Sequence, residues 1–105
     1  MQTAERRRMN HFYLVGKLVE QPEKRISTNG TKFIKFKLAV PRSFKEPQGE
    51  TDLYEITGFN QLVDEEYETG KTMCFSGRVS ANNYTNEETT HYNVRLVANS
   101  IAIIA

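Results

Sequence analysis

Gly30 to Phe44 reads GTKFIKFKLAVPRSF, and its alternation decides the fold class. Ile34, Phe36, Leu38 and Val40 fall on one face of an extended strand, and Phe33, Lys35, Lys37 and Ala39 on the other. The first set is a core face. The second carries an aromatic among lysines, and the run closes with Arg42 and Phe44, a mixture that suits a polyanion bearing flat bases. The same pattern also describes a half-buried strand with a lysine-rich exterior, because lysine is common at outward strand positions.

Working outward, Asn10 to Leu18, NHFYLVGKL, fills both faces of a short strand with apolar and aromatic residues, so both faces want cover. Gly16 inside it permits a bulge or a strong bend, which suits a small closed barrel. Pro22 marks a turn, Lys24 to Ile26 a brief strand segment, and Ser27-Thr28-Asn29-Gly30 a hairpin. Downstream, Lys45 to Asp52, KEPQGETD, has no apolar residue and reads as a mobile surface loop. Leu53 to Phe59 alternates again, with Tyr54 and Ile56 on one face and Leu53, Glu55, Thr57 and Phe59 on the other.

Asn60 to Thr69 is the one helical candidate, with Leu62, Val63 and Tyr67 about a turn apart and Gly70 as its C-cap. Its acidic run, Asp64, Glu65, Glu66 and Glu68, reads as a solvated face rather than a metal cluster. Lys71 to Ser80 is a strand with Met73, Phe75 and Val79 inward, Cys74 on the opposite parity and Gly77 available for a bend. Ala81 to Tyr84 extends it, Thr85 to Thr89 is a hairpin tip, and Thr90 to Ile104 returns with Tyr92, Val94, Leu96 and Ala98 in alternation. The sum is all-β: an OB-fold, the five-stranded Greek-key barrel with one short helix between strands 3 and 4.

The 105 residues suffice for one small domain, read as residues 9–105 behind a disordered lead at 1–8 that carries three consecutive arginines. No apolar run is long enough to cross a bilayer, and a single cysteine forms no internal disulfide, so a soluble cytoplasmic protein is expected. With a net charge of +1, any basic footprint has to be local. His11 and His91 sit in no metal-ligand or nucleophile spacing and no Gly-rich phosphate loop appears, so neither catalysis, a metal nor a cofactor is expected.

Five pieces, MNHFYLVGKLVEQPE, NGTKFIKFKLAVPRSF, TDLYEITGF, ETGKTMCFSGRV and YNVRLVANSI, resemble the bacterial single-stranded DNA-binding proteins in order and spacing, from Met9 to about Ile104. The resemblance implies base stacking at Phe44, Phe59 and Tyr84, with Leu53 where a tryptophan is often found. Strand parity and closeness to these aromatics nominate Lys35, Lys37, Arg42, Lys45 and Arg78 for phosphate contacts, with Arg95 a weaker candidate. Phe59 also suits core packing at a strand end, and Tyr84 a cross-strand hairpin contact.

The implied function is sequence-tolerant binding and protection of single-stranded DNA in replication, recombination or repair. The resemblance further implies a homo-oligomer, a homotetramer ahead of a dimer, although the dimeric primosomal proteins share the fold. Against the family's pattern there is no tryptophan, Glu55 stands where relatives often carry a basic group, and Ser80, Asn82 and Asn83 are neutral. The chain also stops at Ala105, where family members usually continue to an acidic tip, so recruitment of replication or repair proteins is left open. The alternative is an OB-type protein-interaction module of a replication or primosome assembly with weak nucleic-acid affinity. An oligosaccharide-binding or small hydrolytic OB domain is a third class.

Overall fold

A computed structural model describes residues 9–46, 49–81 and 83–105, with the side chains of residues 43–46 left undescribed. The expected lead at 1–8 therefore lies outside the described residues. The elements are β1 (Phe12–Leu18), β2 (Glu23–Ile26), β3 (Lys32–Glu46), β4 (Gly49–Phe59), a helix α1 (Gln61–Asp64), β5 (Thr72–Ala81), β6 (Tyr84–Asn86), β7 (Thr89–His91) and β8 (Val94–Ile103). The main sheet runs β1-β5-β8-β4-β3-β2, and β1 returns to pair with β3. Five strands thus close a barrel, β2 hangs on the outer edge of β3, and β6 and β7 form a separate hairpin. With β8 entering parallel to β4, this is the OB-fold.

Period-two patterning built the core as expected: Ile34, Phe36, Leu38, Ile56, Met73 and Phe75 are all fully buried. Phe36 is its centre, with Tyr67 edge-on at 4.9 Å and Phe75 at 5.0 Å between ring centroids. The glycines of β1 and β5 mark where strands press together. A Cβ on Gly16 would lie 2.2 Å from the Ala39 carbonyl oxygen, and one on Gly77 would lie 1.9 Å from that of Val97. No side chain fits at either crossing.

Three expectations are corrected. The helix covers only Gln61–Asp64 instead of reaching Thr69, and Glu65 is already extended. Continuing it would place Glu65, Glu66 and Glu68 at the negative end of the helix dipole. The chain instead turns Tyr67 into the core, where its hydroxyl donates to the Leu62 carbonyl at 2.7 Å, and Gly70 serves a turn at positive φ rather than a helix cap.

Lys45 to Asp52 is not simply a loop, because β3 and β4 stay paired at Val40 with Asp52, Pro41 with Thr51 and Glu46 with Gly49. Arg42, on the diagonal from Asp52, supplies the cross-strand charge pair that makes a polar ladder possible. The return from Thr90 to Ile104 is two strands rather than one, interrupted at Tyr92 and Asn93, and within β8 the alternation holds through Leu96 and Ala98. The register against β5 then shifts by one residue between Ser76 and Gly77, which leaves Asn99 as an extra residue and brings Ile101 against the core after Ala98.

Burial, with Glu65 beside it, pushes the Tyr67 hydroxyl from 10.0 up to about 12. The neutral phenol is the form that the fold favours, so this contribution to stability is complete below pH 10 and is lost as pH rises through about 12. Alkaline titration followed by ultraviolet absorbance should show one tyrosine ionising near pH 12 in the native chain. Tyr67→Phe should remove that step; persistence of the step would move it to another ring.

Candidate nucleic-acid interface

The outward residues of β2, β3, β4 and β8 form one continuous face. Antiparallel register sets Phe33 opposite Phe59, Lys35 opposite Thr57, Lys37 opposite Glu55 and Ala39 opposite Leu53. Two aromatic rings therefore meet, with centroids 6.3 Å apart and planes inclined at 47°. Across the parallel junction, the Arg95 guanidinium carbon stands 5.8 Å from the centre of the Phe59 ring. Phe59 borders two clefts, one reaching Phe33, Glu55 and Arg95, and the other reaching Asn60, Arg78 and Asn99. A planar group resting on Phe59 thus has an arginine within each neighbouring cleft.

The predicted residues separate into groups. Leu53 and Phe59 share this face, and Leu53 is 69% exposed, an apolar side chain that the barrel itself does not use. Arg78 and Arg95 are exposed and make no ion pair among the described residues. Tyr84 sits apart on the β6–β7 hairpin, where its ring stacks on His91 at 4.7 Å and 16°. The cross-strand packing reading of Tyr84 is therefore realised, and with half of its surface exposed the ring keeps area for other contacts. The side chains of Phe44 and Lys45 lie outside the described residues, as does Asn82.

Three of the nominated cations are already held by carboxylates. Lys35 Nζ lies 3.3 Å from Glu55, and Lys37 Nζ lies 3.0 Å from Glu20, whose hydrogen bond holds the Lys37 ammonium above its ordinary pKa. Arg42 donates through Nε at 2.9 Å and Nη2 at 2.6 Å to one oxygen of Asp52, and through Nη1 to the Gly49 carbonyl. This bond holds the Asp52 carboxyl below the usual carboxylate range. Arg42 is thereby a brace between β3 and β4.

Two residues were undervalued by sequence reasoning. Phe33 was legible as an aromatic on the lysine face of β3, but its partnership with Phe59 needs the β3–β4 register. Arg95 reaches Phe59 only because β8 lies parallel beside β4, a neighbourhood that nothing local in the sequence announces. Among the described residues no group of histidine, cysteine or acidic side chains is placed to hold a metal ion, and no helix is long and apolar enough to cross a membrane.

Paired rings and arginines on the open sheet face of an OB barrel are an arrangement suited to unstacked bases. Residues 9–104 match the single-strand binding protein family, and the chain belongs to that family. It is 33% identical over 102 residues to Single-stranded DNA-binding protein 1 of Staphylococcus aureus (strain MSSA476), across 91% of this chain and 65% of that protein. It therefore spans just under two thirds of that relative. Its fold is similar to that of a Plasmodium falciparum SSB in complex with ssDNA, with a TM-score of 0.68 and 19% identity over 92% of this chain and 96% of the other. It is also similar to the dimeric N-terminal domain of PriB from Thermoanaerobacter tencongensis, with a TM-score of 0.63 and 25% identity over 91% and 97%.

Proposed function

We propose that this chain binds and protects single-stranded DNA without catalysis and with tolerance for sequence, in replication, recombination or repair in the cytoplasm, residues 9–105 forming the binding domain. The observation that carries this reading is the Phe33–Phe59 pair with Arg95 against it on an open face. Every base has a π-face, so rings so placed hold any sequence. Phe59 and Phe33 are the proposed platform, Leu53 adds apolar contact, and Phe44 and Tyr84 extend the track. Arg78 and Arg95 take phosphates, with Lys45 further along.

Self-association belongs to the same proposal. β5 covers one edge of β1, while β3 pairs with the other edge only at Lys17 and Leu18. The backbone from Phe12 to Gly16 is left able to continue the sheet into a second copy, beside a Tyr13 that is 65% exposed. A homotetramer or a dimer would satisfy it.

The second reading, an interaction module with weak nucleic-acid affinity, gains from the carboxylates on Lys35, Lys37 and Arg42, which mute the local positive field. Fluorescence anisotropy of a labelled oligothymidine, with duplex DNA as competitor, separates the two. Tight binding that resists the duplex is expected. Because Lys35, Lys37 and Arg42 would only exchange one anion for another, log K should fall with log salt at a slope of roughly −2.1, the worth of three single-strand phosphates. Absence of binding at low salt would leave the interaction module as the account, and a much steeper slope would return Lys35 and Lys37 to the phosphates.

A further inference from the structure

Glu55 is a carboxylate in the middle of a face that a polyanion is to cover. It borders three adjoining clefts, one with Lys35 and Lys37, one with Phe33 and Phe59, and one with Arg95. A phosphate laid over it would be repelled, so the part of a strand that can lie there is the base edge. Lys35 engages only one of its oxygens, Oε1, and the side chain is 53% exposed despite that contact. Oε2 accepts no hydrogen bond from the described residues.

An acceptor beside a donor, in the same cleft as two aromatic rings, has a natural counterpart. Every unpaired base carries an N–H next to an acceptor on its Watson–Crick edge: thymine N3–H by O4, cytosine N4–H by N3, adenine N6–H by N1, guanine N1–H by O6. In a duplex those edges are occupied. We propose that the Lys35–Glu55 pair reads the free Watson–Crick edge of one base in the bound strand. Glu55 Oε2 accepts from the base N–H, and Lys35 Nζ donates to the adjoining base acceptor. This rests on the single-strand reading above and deepens it, since the pair matches all four bases while rejecting paired ones. It also gives the negative charge at the centre of the face a use.

The test compares an oligothymidine with the same oligomer built from N3-methylthymine, which keeps the ring and the phosphates and removes the donor. The wild-type chain should bind the methylated oligomer roughly ten- to hundredfold more weakly, the loss of one hydrogen bond to a charged acceptor. Glu55→Ala, checked for an unchanged thermal midpoint, should bind both oligomers equally, whatever its absolute affinity. Equal binding of both by the wild type, or the same methylation penalty in wild type and Glu55→Ala, would overturn the proposal and leave Glu55 as the counterion of Lys35. Failure of the wild type to bind oligothymidine at all would instead refute the single-strand reading itself.

Discussion

Gly77→Ala is expected to lower the stability of the chain by about 3 kcal/mol, near the upper end for overpacking, and to drop its thermal midpoint by roughly 15 °C. A Cβ there would stand 1.9 Å from the Val97 carbonyl oxygen and 2.9 Å from the Ala98 Cα. Both atoms are backbone, so no rotamer change relieves the clash. Relief requires β5 and β8 to part at the point where their register shifts, next to the buried Val97 and Ala98. Thermal unfolding followed by circular dichroism measures the effect. A midpoint within a degree or two of wild type would mean that the two strands do not approach as described.

The second large effect falls on binding. Phe59→Ala should weaken affinity for oligothymidine roughly five- to hundredfold, the range for loss of one aromatic stacking partner. Three contacts depend on that ring: the base it would carry, the Phe33 ring inclined to it and the Arg95 guanidinium over it. Phe59→Tyr keeps the platform and should recover most of the affinity. The readout is anisotropy at one salt concentration, alongside a thermal midpoint to confirm folding. Unchanged affinity in a folded Phe59→Ala variant would assign the ring to packing against Phe33.

What the sequence made legible, and what it hid, follows from the range of the interactions concerned. Ile34, Phe36 and Leu38 announce a core because strand periodicity is local, and the same rule set Leu53 beside Phe59 on the outer face. Tyr67 misled because its spacing from Leu62 and Val63 is helical while its destination, the edge of Phe36, is set by tertiary packing. The polar run around Asp52 looked like a loop because the ion pair that sustains its ladder joins residues ten apart across a hairpin. Lys35, Lys37 and Arg42 looked available for phosphates because nothing local shows that Glu55, Glu20 and Asp52 reach them. Asn99 left no sign at all, since a bulge is a property of two strands together.

The barrel is unevenly laced. Long ladders tie β1, β5 and β8 into one shell and β2, β3 and β4 into another, whereas the shells join through Lys17 and Leu18 of β1 on one side and Ile56 to Gly58 of β4 on the other. Phe33 and Phe59 belong to one shell and Arg95 to the other. A strand of DNA bound as proposed, with a base on Phe59 and a phosphate at Arg95, would therefore span the β4–β8 seam like a suture. Part of its binding energy would then hold the halves together, so ligand occupancy and resistance to opening would rise as one quantity.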